Sequence, residues 1–149
     1  MRRLPICIFL ICCSFFVSAQ SCRYEYVETT AASSSVITFK INVFCTDKKN
    51  LDKEASLAAV RCVMFDGIPK TQYAKALVSD GEKTSMQQYP KYYESLYSTR
   101  YSDFVPKVNQ LSKFKQSGVE KATLFEVTVK ASNLRKDLES NNIKIKFGL

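Results

Sequence analysis

Five tyrosines between residues 89 and 101, with Lys91 and Arg100 among them, are the densest group of side chains in this chain that can recognise a partner. A tyrosine offers a flat apolar ring with a polar tip, a chemistry suited to sugars, peptides or another protein surface. Tyr89, Tyr92, Tyr93, Tyr97, Arg100 and Tyr101 are therefore the candidate binding residues. The same spacing also fits a core, because Tyr93, Tyr97 and Phe104 recur close to every fourth residue and the others would cover them. Catalytic candidates are poorer. The chain has no histidine, which removes the commonest general base and the commonest metal ligand together. Asp52 with Glu54, and Asp137 with Glu139, are each two apart on a helical pattern and point to different sides, so they read as helix-start charges and solvated surface. No base accompanies a cysteine as a nucleophile requires. No acidic run has calcium-loop spacing and no cysteine pair has zinc spacing, so neither a metal nor another cofactor is expected.

Three cysteines, Cys22, Cys45 and Cys62, lie beyond a leader-like start. Arg2 and Arg3 precede the apolar run from Leu4 to Val17, and Val17-Ser18-Ala19 places small or short side chains where signal peptidase needs them. Residues 1–19 thus read as a signal peptide cleaved before Gln20, the run being short of the roughly twenty residues of a membrane-spanning helix. A lipid anchor at Cys22 is the other route to the envelope, although Gln20 fits poorly where a small residue is usual. An exported chain normally pairs its cysteines, but an odd number leaves one over. A strand over 36–45 followed by a helix over 51–65 sets Cys62 about 16 Å back along the helix from the turn near Cys45, beyond the roughly 7 Å that a bridge allows. Cys22–Cys62 is the better pair if a bridge forms. The alternative is that Cys45 and Cys62 are small buried hydrophobes.

Loss of the leader leaves 130 residues with 20 basic and 14 acidic side chains, a formal charge of +6. This length suits one domain. The lysines are scattered, as on a soluble charged surface, or as an attraction to anionic envelope lipids or polysaccharide; with no basic helix or recognisable motif, nucleic acid is not an expected partner.

The elements that must position these residues are unevenly marked. Residues 20–35, with the run Glu28-Thr-Thr-Ala-Ala-Ser-Ser-Ser35, read as a flexible lead-in. Ile37, Phe39, Ile41, Val43 and Cys45 alternate with polar residues as a half-buried strand. Asn50 is placed to cap the helix over 51–65, whose alanines would let it lie close against a sheet, and Gly67 with Pro69 ends it. Phe65-Asp66-Gly67-Ile68-Pro69 is motif-like, but a helix stop accounts for it. Signals are weak from Lys70 to Gln88, with a turn at Ser79-Asp80-Gly81 and a short extended piece over 73–78. Pro90 opens a helix over 90–99, and 107–115 is a strand or loop. Thr123, Phe125, Val127, Val129 and Ala131 form a second long strand, Ser132 or Asn133 caps a short helix that Asn141-Asn142 ends, and 143–147 alternates as a final strand. The expectation is one α+β domain over 36–149, a mainly antiparallel sheet with two or three helices packed on one face.

Ala55-Ser56-Leu57-Ala58-Ala59-Val60, the exit Phe65-Asp66-Gly67-Ile68, the tyrosine-rich middle and Leu134-Arg135-Lys136-Asp137-Leu138-Glu139 resemble small uncharacterised secreted domains of Bacteroidota-type Gram-negative bacteria. More distantly, the alanine-rich helix after a strand is similar to the N-terminal module of flagellar assembly protein T and related envelope lipoproteins. The resemblance implies an α+β envelope module with a structural or assembly role, and it carries over no active-site residue. The resulting expectation is an exported, non-enzymatic envelope protein of the periplasm or outer envelope that binds another protein or a surface polymer. Two alternatives stand beside it. One is a small-ligand carrier with a pocket between helix 51–65 and the sheet; the other is a polysaccharide-acting enzyme whose distant carboxylates converge across a cleft.

Overall fold

In the computed structural model, residues 22–46, 48–113, 121–143 and 145 are described. Strands β1 (Arg23–Ala32), β2 (Ile37–Cys45), β3 (Lys107–Gln110) and β4 (Lys121–Val129) form one antiparallel sheet in the order β1-β2-β4-β3. The alternation seen in β2 and β4 sorts their side chains onto two faces. Ile37, Phe39, Ile41, Val43, Phe125, Val127 and Val129 point to one of them and are fully buried. Among the described residues four helical bodies lie on that side, so the α+β class and one-sided packing hold, with a helix more than the two or three expected.

The first body is α1 (Leu51–Arg61), continued by a π turn over Cys62–Asp66. Ala55, Ala58 and Ala59 are buried where α1 crosses β2 and β4, and these short side chains let the helix lie close to the sheet. Asn50 does not cap α1 with its side chain. It takes a left-handed backbone instead, which asparagine tolerates better than most residues, and its carbonyl accepts from Glu54 N–H at 2.9 Å. The expected stop at Gly67 is present, with φ +84° but an extended ψ. A Cβ there would also come within 2.5 Å of the Ala74 carbonyl oxygen, so glycine is required twice over.

The second body, α2 (Glu82–Gln88), has no sequence counterpart in the expected elements, because only Ser85 in it is buried and no apolar stripe marks it. The third joins α3 (Pro90–Ser95), a π turn over Leu96–Arg100 and α4 (Tyr101–Phe104). The fourth, α5 (Ala131–Ser140), starts after Lys130, so Ser132 and Asn133 lie within its first turn and neither is the expected cap. At its end Asn142 is left-handed, Ile143 N–H bonds the Leu138 carbonyl and Asn142 N–H that of Glu139, each at 3.0 Å, a Schellman closure. Of the expected last strand, Ile145 bridges Val78; Lys144, Lys146 and Phe147 lie outside the described residues, as do residues 1–21.

Two expectations are overturned by one element. Residues 23–32 are a strand, not a lead-in: Tyr24 and Tyr26 alternate with Arg23 and Glu25 and pair in register with Val43, Ile41, Phe44 and Asn42. The serines after it build a hairpin turn instead of a spacer. Ser33 Oγ accepts the Val36 N–H at 3.0 Å, and Ser33 N–H reaches the Val36 carbonyl at 2.8 Å. Because β1 folds back on β2, Cys22 falls opposite Cys45, and these two form the disulfide, with alpha carbons 5.0 Å apart. Cys22–Cys62 is therefore not the pair; Cys62 is a buried free thiol.

Candidate functional site

The tyrosine-rich body packs its rings inward and bonds their hydroxyls to neighbouring elements. Tyr93 is 1 % exposed, its ring edge-on to Tyr92 and 5.6 Å from that of Tyr97. Its hydroxyl shares a 2.7 Å hydrogen bond with Ser85 of α2. Tyr92, also buried, donates to Asp137 Oδ2 of α5 at 2.8 Å, and Arg100 takes the other oxygen of the same carboxylate. Asp137 is thus not solvated surface but the joint between α5 and the third body. Tyr89, half-buried, donates to the Asn142 carbonyl at 2.9 Å.

A second network starts from Tyr97, which donates to Glu82 Oε1 at 3.2 Å. Arg61 grips that carboxylate with two bonds of 2.7 and 2.8 Å, while its guanidinium lies 5.3 Å from the Tyr24 ring. Tyr24 in turn donates to Asp66 at 2.7 Å. The network ties β1, the end of α1, α2 and the third body together.

Ionisation follows from this setting. Burial, with the adjacent carboxylates Asp66, Asp137 and Glu82 adding to it, pushes the Tyr24, Tyr92 and Tyr97 hydroxyls well above their ordinary range. Burial raises Tyr93 as well. Burial opposes the Arg61 charge, but the Glu82 hydrogen bonds and charge outweigh it and raise its pKa. The Cys62 thiol is pushed up to about 12, by burial and then by Asp66, so it stays protonated at neutral pH and is a poor nucleophile.

The π turn over Leu96–Arg100 explains why the four-residue rhythm of the tyrosines does not give one continuous stripe. It widens the helix by one residue per turn, and Tyr101 N–H reaches the Leu96 carbonyl five residues back. Tyr101 therefore leaves the Tyr93–Tyr97 row and faces α1, where Lys53 Nζ is 5.7 Å from its ring centroid. Among the described residues its hydroxyl has no hydrogen-bond partner. Of the six candidate binding residues, Tyr92 and Tyr93 are core, Tyr89, Tyr97 and Arg100 are half-buried links, and Tyr101 alone keeps a free polar tip.

The other side of the molecule differs. Thr38, Lys40, Asn42 and Phe44 of β2 face away from the helices, level with Thr128, Glu126, Leu124 and Ala122 of β4. Arg23 lies 3.7 Å from the centroid of the Phe44 ring, Lys40 bonds Glu28 at 2.7 Å, and Thr38 bonds Thr128 at 3.1 Å. The hydrogen bond between Lys40 and Glu28, and then their opposite charges, hold the Glu28 carboxyl below and the Lys40 ammonium above their usual values. Among the described residues no helix lies over this face. Beside it, β1 forms the long free edge of the sheet, and a cleft of about 440 Å³ runs along Tyr26–Ala32 with Pro69 and Lys70 as its far wall. A second cleft of about 360 Å³ lies between Ser34, Gln72 and Tyr73 on one side and Ser132, Arg135, Lys136 and Glu139 of α5 on the other. The interface of α1 with the sheet, where the carrier alternative placed a pocket, is filled by Ala55, Ala59, Val60, Phe39 and Phe125, all fully buried.

Sequence reasoning missed the outer face and edge of β1, for which the Tyr24/Tyr26 alternation was the available signal. Among the described residues no group of histidine, cysteine, aspartate or glutamate side chains is arranged to hold a metal ion. No described helix is long and apolar enough to cross a membrane. Comparison with family models, with curated proteins and with solved structures gives no match.

Proposed function

We propose that the chain is an exported, non-enzymatic envelope protein that binds another protein or a surface polymer through the uncovered side of its sheet. The observation that carries this reading is the contrast between the two sides. Tyr92, Tyr93, Tyr97, Arg61 and Arg100 have their polar groups committed to internal partners, whereas the row Phe44–Asn42–Lys40–Thr38 and its β4 neighbours present polar and apolar groups together in one plane. A flat face of this composition suits a partner surface or an extended polymer. The leader-like first nineteen residues support export, and so does the Cys22–Cys45 disulfide, since such bonds persist in oxidising compartments. The bridge also engages Cys22, which argues for a cleaved leader over a lipid anchor at that residue.

The test is capture of cross-linked envelope material by tagged mature chain, run in parallel with N42K and with Y92F. Asn42 is half-buried on the outer face and Tyr92 lies within the helical side. The reading expects a reproducible partner with the unaltered chain and with Y92F, and its loss with N42K while the circular dichroism is kept. Equal capture by all three, or loss with Y92F alone, contradicts it.

A further inference from the structure

We propose that the free edge of β1 is a docking strand, which takes an extended acidic segment of another protein into the sheet as an added strand. This deepens the binding reading above and rests on it. The two edges of the sheet are unlike. β3 is four residues long, whereas β1 runs for ten and pairs on one side only, with β2. An edge of that length presents a row of backbone donors and acceptors to whatever lies alongside. Here the edge does not open onto flat solvent. It forms one wall of the cleft lined by Tyr26–Ala32, and the opposite wall, Pro69 and Lys70, does not complete the sheet. Pro69 has no N–H to give, and the tie across is a side-chain bond, from Thr29 Oγ1 to the Pro69 carbonyl at 3.4 Å. Among the described residues the backbone of Val27–Ala32 bonds to no element other than β2. The cleft is therefore bounded by a strand edge and by a loop that leaves that edge unpaired.

The chemistry of the occupant follows from the walls. Glu28 is already engaged by Lys40, so it does not call for a cation. Lys70, exposed and held at φ +62°, is the remaining charge on the lining and has no carboxylate partner among the described residues. The Tyr26 ring and Pro69 offer apolar area, and Val27 is 43 % exposed. An incoming strand that alternates apolar and acidic residues matches this lining, with the carboxylate on Lys70 and the apolar side chains along Tyr26, Val27 and Pro69. A second copy of this chain matches it less well, because the carboxylates of its own edge are already engaged, Glu25 by Arg23 and Glu28 by Lys40, which leaves β1 none to offer Lys70. The bulges at Val27 and Thr30, where the register with β2 shifts, break the regular spacing of the edge. They select a short, fitted strand against indiscriminate edge pairing.

The experiment uses the mature chain labelled with ¹⁵N and a capped octapeptide of alternating valine and glutamate as the probe. The expected result is saturable shifts of the Val27–Ala32 amides together with slowed hydrogen exchange there. N-methylation of every second peptide amide should abolish them. K70E should weaken the probe by about tenfold, the size of one charge-assisted contact, and should favour the valine–lysine counterpart. Shifts centred on Phe44, Leu124 or the tyrosines, indifference to N-methylation, no change at Val27–Ala32 at millimolar probe, or a concentration-dependent dimer protecting these amides without peptide would each overturn the proposal. If the edge fails while N42K still loses its captured partner, the binding reading stands and the docking strand alone is withdrawn.

Discussion

The helical side and the outer side of the sheet use similar residues for opposite ends. On the helical side, Tyr92 and Arg100 close around Asp137, and Tyr97 and Arg61 close around Glu82, each pairing made across two elements far apart in sequence. Such bonds are partly buried, so a lost partner leaves a polar group without water, and they contribute to holding one arrangement of the helices. On the sheet side, Lys40 with Glu28 and Thr38 with Thr128 are neighbours on adjacent strands, the ion pair open to solvent and the threonine pair half-buried. The ion pair is screened and adds little to stability. The lesson is that a tyrosine or arginine suggests recognition only until its partners are known; here the conspicuous side chains brace the fold and the plainer ones form the accessible surface.

The comparison is broken most forcefully at Tyr93. Tyr93→Ala should cost about 3–5 kcal/mol in urea unfolding, whereas Asn42→Ala on the outer face should stay within about 0.5 kcal/mol. Next comes the bridge that pins β1 to the sheet. Cys22→Ser should cost about 3 kcal/mol, because it releases a loop of 23 residues; in the processed chain a thiol reagent should find one reactive group, Cys62, and only after unfolding. A graded effect comes from pH. The folded-state pKa values of Tyr24, Tyr92, Tyr93 and Tyr97 are raised, so the stability linked to them is complete below the ordinary tyrosine range, near 10, and is lost as pH climbs above it. Phenolate absorbance should therefore appear with unfolding above pH about 10, and earlier in urea than in the native chain. Smaller again, Tyr92→Phe should cost about 1.5 kcal/mol for a bond to a charged acceptor. Tyr101→Phe should cost under about 0.5 kcal/mol, as its hydroxyl has no described partner.

How much of this was legible beforehand follows from where each signal comes from. β2, β4 and α1 carry their own periodicity, and the Gly67 stop carries its own backbone requirement, so they can be read locally. β1 is marked only at its start, where Tyr24 and Tyr26 alternate with Arg23 and Glu25, and Glu28–Ala32 adds no apolar stripe; what makes 23–32 a strand is the partner β2 and the Ser33 turn that folds it back. The disulfide was lost with it, since Cys22 meets Cys45 only once that hairpin exists. The tyrosine rhythm was visible, but the π turn over Leu96–Arg100 is written in no single residue type, and it sends Tyr101 away from Tyr97. Asp137 reads as an ordinary surface carboxylate, and Glu82 carries no local signal at all, because their partners, Tyr92, Arg100, Arg61 and Tyr97, arrive from other elements.

The most direct measurement places a photoactivatable residue at Asn42 in one exported chain and at Lys91 in another, Lys91 being an exposed position on the tyrosine helix. Both chains are irradiated in the intact envelope, and the adducts are identified. The account predicts one recurring adduct from position 42 and none shared by position 91; an adduct formed from position 91 with position 42 silent would return recognition to the tyrosines and contradict it.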